Sequence, residues 1–128
     1  MKRVHVCLVS KEPIPNLVPL RCPGIEPDRV ILLVTGEMSP QAARLERVIH
    51  RWGIRDVVRM PVAAYDPSAV SAVCSAIIAD HSHDHLLLNA TGGTKIMALA
   101  AFETFARNNC EAFYVDSAGH RILSLSGA

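Results

Sequence analysis

One stretch of the sequence decides the fold: His85-Leu86-Leu87-Leu88-Asn89-Ala90-Thr91-Gly92-Gly93-Thr94-Lys95. Residues 85–89, at its beginning, are mostly apolar and predict a central parallel strand that is covered on both faces. Two glycines then permit a tight turn, and residues 95–107 that follow have a helical pattern. Because Thr94 suits a helix N-cap, we predict a strand, a turn and a helix in direct succession.

The flanking segments continue this alternation of strands and helices. Apolar runs predict further strands at residues 4–9, 30–34, 56–62, 112–116 and 121–125. Helices are predicted after Ser39, as N-cap, and after Asp66, with a short one near residues 16–21. Ser117-Ala118-Gly119 is predicted to form a hairpin turn, so the last strand runs antiparallel.

This order of elements predicts an α/β fold. We expect a Rossmann-like, doubly wound, mostly parallel sheet of about six strands with a C-terminal antiparallel hairpin. The length of 128 residues fits a single domain over residues 1–128. Half of the residues are hydrophobic, which excludes a disordered chain.

The charge balance limits the partners. Lys and Arg number 13 and Asp and Glu number 12, giving a net charge of +1. This is too balanced for a protein that coats long nucleic acid along a basic face. No stretch approaches the roughly 18 apolar residues that span a membrane, so we expect a cytoplasmic protein without a membrane partner.

The helix predicted at residues 95–107 is apolar almost all round. Its large apolar side chains are Ile96, Met97, Leu99, Phe102 and Phe105, with alanines between them. A helix of this kind is covered on more than one side. In so small a domain, we expect the second cover to be another subunit, which makes a homodimer.

Three segments follow predicted strands and should meet at one edge of the sheet. They are residues 10–16, 35–39 and 89–95. Ligands of open α/β sheets bind in the crevice beyond the carboxyl ends of the strands, so these segments contain the candidate site residues.

The last of these segments has the features of an anion site. The glycines of Asn89-Ala90-Thr91-Gly92-Gly93-Thr94-Lys95 allow close backbone approach, and the helix that follows presents free N–H groups. The helix terminus carries about half a positive charge, and Lys95 adds a full charge. Phosphate is the natural ligand, although neither the Walker A nor the GxGxxG pattern is present. The alternative is a simple strand-to-helix turn with a solvated lysine.

The other two segments supply polar and apolar contacts. The Ser10 hydroxyl would face the crevice, unless it is only a turn residue. In Thr35-Gly36-Glu37-Met38, the glycine permits backbone contact, Glu37 can accept from an amine or a ribose hydroxyl, and Met38 can pack on a base. The alternative for this segment is a loop that leads into the Ser39 cap.

The alternating His81, His83 and His85 suggest a metal site. Only His85 lies clearly in a strand, and the other two follow a helix at the opposite edge of the sheet. We therefore interpret this segment as a solvated polar connection, and we predict neither a metal ion nor another cofactor.

Three stretches together resemble a known family. They are residues 9–17 (VSKEPIPNL), 33–38 (LVTGEM) and 88–98 (LNATGGTKIMA), and they resemble CARF (CRISPR-associated Rossmann fold) domains, above all those that precede PD-(D/E)XK nuclease domains in type III CRISPR effectors. The resemblance implies a homodimer that binds one cyclic oligoadenylate, usually cyclic tetra-adenylate. It implies ligand contacts from residues 10–16, among them Ser10, Pro13 and Asn16, from Thr35, Gly36 and Met38, and from the phosphate loop 89–95.

The resemblance also implies a reaction. Some stand-alone CARF proteins are ring nucleases, which cleave the cyclic messenger and end type III CRISPR signalling, and Ser10 and Lys95 match their catalytic residues. Because the sequence ends at Ala128, we expect no nuclease domain. We expect metal-independent cleavage to linear di-adenylate with a 2′,3′-cyclic phosphate, and slow turnover because no histidine falls in residues 10–16, 35–39 or 89–95. The alternative is a non-catalytic sensor domain of a CRISPR effector or regulator.

Overall fold

The computed structural model describes residues 1–116, 118 and 121–126. Within these residues, six strands form one sheet in the order β3-β2-β1-β4-β5-β6. Their bounds are β1 Arg3–Leu8, β2 Arg29–Val34, β3 Asp56–Pro61, β4 His85–Asn89, β5 Glu111–Asp116 and β6 Arg121–Ser124. The first five strands pair in parallel, and β6 runs antiparallel to β5. The predicted fold class is confirmed.

The connections supply the helices. Their bounds are α1 Ile14–Leu17, followed by a 3₁₀ turn at Val18–Arg21, then a 3₁₀ turn at Gly36–Met38, α2 Ser39–Arg51, α3 Pro67–Asp80 and α4 Lys95–Arg107. Among the residues that the structure describes, none of these helices has the length and apolar character needed to span a bilayer.

Both faces of the sheet are covered, as the apolar strands predict. Along β1, Val4, Val6 and Leu8 pack with α3 and α4 on one face. Cys7 and Val9 pack on the opposite face with α1, its 3₁₀ turn and α2. This alternation follows from the period of two along a strand.

The strand order fixes where a ligand can bind. The chain runs from β1 outward to β2 and β3, and then returns to β4 on the other side of β1. A crevice opens beyond the carboxyl ends of strands at such a reversal. In this molecule the reversal lies between β1 and β4, so Ser10 and the loop after Asn89 lie side by side.

One helix start differs from the prediction. Ser39 is the first residue of α2, with helical φ −54° and ψ −43°, and the N-cap position is occupied by Met38, which makes no side-chain cap hydrogen bond. The physical reason is the 3₁₀ turn at Gly36–Met38, which runs directly into the helix and leaves no extended residue to act as a cap. The predicted hairpin turn lies partly outside the described residues, at Ser117 and Gly119.

Candidate functional site

The glycine loop, residues 89–95, is held in place by a buried asparagine. The Asn89 side-chain amide donates to the Pro15 carbonyl oxygen at 2.8 Å. Its Oδ1 accepts from the Thr91 backbone N–H at 3.1 Å and from the Thr91 hydroxyl at 2.6 Å. The Thr91 hydroxyl oxygen accepts from the Val115 N–H at 2.8 Å. These bonds tie the loop to α1 and to β5, and they occupy the polar atoms of Asn89.

The two glycines allow the loop to lie against the end of β1. A Cβ atom at Gly92 would overlap the Leu8 carbonyl oxygen and would lie 3.1 Å from the Ser10 hydroxyl. Gly93 has a φ of +73°, in the left-handed region that favours glycine. The loop therefore needs glycine at both positions, and its close packing brings it beside Ser10.

Thr94 has two functions at the start of α4. Its hydroxyl oxygen accepts from the Met97 N–H at 3.2 Å, which is the predicted N-cap. The same hydroxyl donates to the Ala64 carbonyl oxygen at 2.6 Å, in the loop that follows β3. Within the described residues, no acceptor receives the backbone N–H of Gly92, Gly93 or Thr94. These groups are available to an anion.

A cleft of about 510 Å³ opens at this edge of the sheet. Seven of the predicted site residues line it: Ser10, Thr35, Gly36, Glu37, Met38, Gly93 and Thr94. The carboxyl ends of β1 and β2 and the start of α4 thus meet at one cavity, as their positions after the strands predict.

The two predicted catalytic residues differ in position. Ser10 lines the cleft, and its hydroxyl donates to the Glu12 carbonyl oxygen at 3.4 Å, a long hydrogen bond. Lys95, next to Thr94, is exposed and is not among the residues that line this cleft. In the part of the chain that the structure describes, no group pairs with its ammonium, so the charge is free for an anion.

The remaining predicted residues lie beside or beneath the cleft. Pro13 lines a smaller, neighbouring cavity of about 310 Å³ that shares Ser10 and Lys11 with the larger one. Asn16 is buried and donates to the Leu8 carbonyl oxygen at 3.0 Å. Ala90 is also buried. Asn16, Asn89 and Ala90 therefore position the loops rather than face the cavity.

One wall of the cleft was not predicted from the sequence. Residues 62–65, which follow β3, line it, and Lys11 and Met97 contribute as well. The signal was present, since β3 is parallel to β2 and its carboxyl end lies at the same edge. Applying the strand-end rule to every parallel strand would have included Tyr65.

The histidine segment is only partly as predicted. His81 is buried: its Nδ1–H donates to the Ile77 carbonyl oxygen at 2.7 Å, and its Nε2 accepts from Arg29 at 3.1 Å. The interpretation as a solvated residue is wrong for His81, because the end of α3 places its buried side chain against Arg29 of β2. His85 contacts Glu111 at 2.9 Å. No three His, Cys, Asp or Glu side chains come together as a metal site in the described ranges.

Two groups in β1 have shifted pKa values, and neither lines the cleft. Burial raises the pKa of the Cys7 thiol to about 12, so this thiol stays protonated and inert. Burial also lowers the pKa of His5 to about 4. Its Nε2–H donates to the Ile25 carbonyl oxygen at 2.5 Å, which fits a neutral ring.

Comparison with solved structures identifies a close relative with a bound ligand. Can2 from Sulfobacillus thermosulfidooxidans, solved in complex with cyclic tetra-adenylate, is 35% identical to this chain, with a TM-score of 0.86. The match covers 97% of this chain and 35% of Can2, so the chain spans about a third of that protein. The comparison with curated protein sequences found no match.

Two further structures share the fold at lower identity. A type III CRISPR defence DNA nuclease activated by cyclic oligoadenylate is 24% identical, with a TM-score of 0.79, over 98% of this chain and 20% of the nuclease. Enterococcus italicus Csm6, bound to cyclic hexa-2′-fluoro-hexa-dAMP, is 14% identical, with a TM-score of 0.72, over 94% of this chain and 35% of Csm6. The family model described as the Card1 CARF domain matches residues 4–126. The chain therefore belongs to the CARF domain family.

Proposed function

We propose that this chain acts in the cytoplasm as a homodimer that binds one cyclic tetra-adenylate and slowly cleaves it without a metal ion. The observation that carries the proposal is the cleft, where the open end of the glycine loop meets Ser10 and the residues after β2. The ligand in Can2 supports the choice of cyclic tetra-adenylate.

The charges of the site fit this ligand. Each copy offers a free Lys95 ammonium and the N-terminus of α4, which carries about half a positive charge. Two copies would therefore present about three positive charges to the four phosphates of the ring. A broad basic surface is then unnecessary, in agreement with the net charge of +1.

An exposed apolar face supports the homodimer. On α4, Leu99 is 67% exposed and Ile96 is 37% exposed. Both line a groove between α3 and α4 whose other walls are mostly small residues, among them Ser71, Ala72 and Ser75. A second copy placed here would bury the Leu99 side chain and would bring two α4 N-termini toward one two-fold ligand.

The cleavage chemistry can use a nucleophile from the substrate. The 2′-hydroxyl oxygen of a ribose attacks its own 3′-phosphorus, and the bond from phosphorus to the 5′-oxygen breaks. The proton leaves the 2′-oxygen and the 5′-oxygen gains one, so the products carry a 2′,3′-cyclic phosphate and a 5′-hydroxyl. Two such cuts give two linear di-adenylates.

The protein's contribution is orientation and charge. The Ser10 hydroxyl would orient the 2′-hydroxyl or the leaving oxygen. Lys95 and the N–H groups of residues 92–94 would stabilise the charge on the phosphorane oxygens, where one donor is typically worth about 10²–10³ in rate. No histidine is among the residues that line the described cleft, so we expect slow turnover.

A second candidate is a sensor that binds the ring without cleaving it. It is favoured by the position of Lys95, which does not line the cleft that contains Ser10. In that case the site would bind the ring without catalysing its cleavage.

The test is incubation of the protein with cyclic tetra-adenylate and excess chelator, with products separated by chromatography and identified by mass. We expect linear di-adenylate with a 2′,3′-cyclic phosphate. A ring whose ribose 2′-hydroxyls are replaced by hydrogen should bind but stay intact. Cleavage of that ring, or loss of activity with chelator, would contradict the mechanism. Binding without cleavage over hours at stoichiometric protein would favour the sensor, and no binding would reject both functions.

A further inference from the structure

We infer that Tyr65 is the aromatic platform on which an adenine of the bound ring stacks, an inference that rests on the proposed function. Tyr65 lines the cleft, and 78% of its surface is exposed. Of the six Phe, Tyr and Trp residues of the chain, all of which the structure describes, it is the most exposed and the one that lines this cavity.

The backbone that carries Tyr65 is held on both sides. Before it, the Val62 N–H donates to the Val34 carbonyl oxygen at 3.0 Å, and the Ala64 carbonyl oxygen accepts from Thr94 at 2.6 Å. After it, Asp66 caps α3 by accepting from the Ala69 N–H at 3.1 Å. The ring is thus presented to the cleft by a fixed loop, so little conformational entropy is lost when a ligand binds.

Folding does not account for this ring. Its hydroxyl has no hydrogen-bond partner within the described residues, and no described aromatic ring or cation packs on it. An aromatic side chain gains stability by burial, and little of the Tyr65 surface is buried. The exposure of the Tyr65 ring is explained if a bound ligand covers it.

The chemistry of the neighbours fits an adenine nucleotide. Thr94 and Gly93, at the anion site, line the same cleft as Tyr65, so a phosphate and a base of one nucleotide can be held together. Met38, half-buried in the lining, offers a polarisable apolar contact. Glu37, exposed in the same lining, can accept a hydrogen bond from the exocyclic amine of adenine. Because two copies would share one ring, two of its four bases would stack on the two Tyr65 rings.

The experiment is calorimetric titration of cyclic tetra-adenylate into the wild type, Tyr65→Leu, Tyr65→Phe and a control, Tyr114→Leu. Tyr114 lies on β5, 43% exposed and outside the cleft lining. We expect Tyr65→Leu to bind at least about 30-fold more weakly, because two stacked bases per ring are lost. Tyr65→Phe keeps the aromatic face and should stay within about threefold of the wild type, as should Tyr114→Leu.

Three outcomes would overturn the inference, and they are distinguishable. If the wild type binds the ring and Tyr65→Leu binds equally well, Tyr65 is no platform although the proposed function stands. If Tyr65→Leu loses binding but sediments as a monomer where the wild type is a dimer, Tyr65 is a subunit contact instead. If the wild type itself does not bind the ring, the proposed function fails first.

Discussion

At the scale of the residue, Gly92 is the most restricted position of the site. An alanine Cβ there would overlap the backbone oxygen of Leu8, which cannot move aside as a flexible side chain can. We expect Gly92→Ala to lower the free energy of unfolding by about 1–3 kcal/mol, the usual cost of overpacking, and to displace the glycine loop. Urea unfolding measures the change.

Gly36→Ala is the matched control, because nothing lies within 4 Å of a Cβ at Gly36 and its φ is not in the left-handed region. It should leave the free energy of unfolding within about 0.5 kcal/mol of the wild type. Equal stabilities for the two variants would show that the loop does not pack on β1 as described.

Lys95 and Ser10 should contribute unequally to binding. In a dimer that shares one ring, Lys95→Ala removes two free cations from the binding site, whereas Ser10→Ala removes neutral contacts. We expect the lysine variant to bind cyclic tetra-adenylate about 10–100-fold more weakly, and the serine variant less than about tenfold. Calorimetry at constant salt compares them.

The control for this comparison is Arg107→Ala, which removes an exposed cation from the other end of α4. Affinity should then stay close to that of the wild type. Negligible effects of both Lys95→Ala and Ser10→Ala would reduce the glycine loop to a simple turn between β4 and α4.

At the scale of the element, the central strand β1 contains a pH-sensitive residue. Burial, followed by the charges of Arg3 and His85, lowers the pKa of His5 to about 4 from 6.5, against a raising effect of its hydrogen bond to Ile25. The unfolded chain therefore takes up this proton at a higher pH than the folded protein. Stability from this residue is lost as the pH falls from about 6.5 to about 4, by up to about 3 kcal/mol.

Unfolding free energies measured from pH 7 to pH 4 test this expectation. His5→Leu should remove this part of the pH dependence, although the loss of the bond to Ile25 should lower its stability at pH 7. His83→Leu, at an exposed position after α3, should keep the wild-type slope. An unchanged slope in His5→Leu would mean that the ring is protonated equally in both states.

The elements that were predicted well are those with local signals. The bounds of β4 and α4 agree with the predicted residues 85–89 and 95–107, because an apolar run and the Thr94 cap act within a few residues. Ser39 was misjudged because an uninterrupted 3₁₀ turn precedes it. The burial of His81 depends on Arg29, which is 52 residues away, and local pattern contains no information on such a contact.

At the scale of the whole molecule, strand order decides which predicted residues meet. The reversal between β1 and β4 brings Ser10 and the glycine loop together. The alternation of strands and helices predicts that both lie at the carboxyl edge of the sheet, but the strand order that places them side by side was not predicted. The hydrogen bonds by which Asn89 and Asn16 hold the loops were not predicted. They depend on the positions of the Pro15 and Leu8 carbonyl oxygens, which the local sequence pattern does not reveal. The Tyr65 wall, in contrast, could have been predicted from the sequence, because it follows β3, which is parallel to β2 and ends at the same edge of the sheet.

The homodimer gives the last prediction. Leu99 is exposed on α4 beside a groove of small residues, so a charged side chain there should prevent a second copy from packing. We expect the wild type to sediment as a dimer and to bind one ring per two chains, and Leu99→Glu to sediment as a monomer. The monomer offers only half of the charges to the ring, so its affinity should fall by at least about 100-fold. Leu123→Glu, which changes an exposed leucine on β6, should leave both properties unchanged. If Leu99→Glu still binds the ring tightly, or if the wild type binds one ring per chain, the cleft of a single copy is sufficient and the shared two-fold site is wrong.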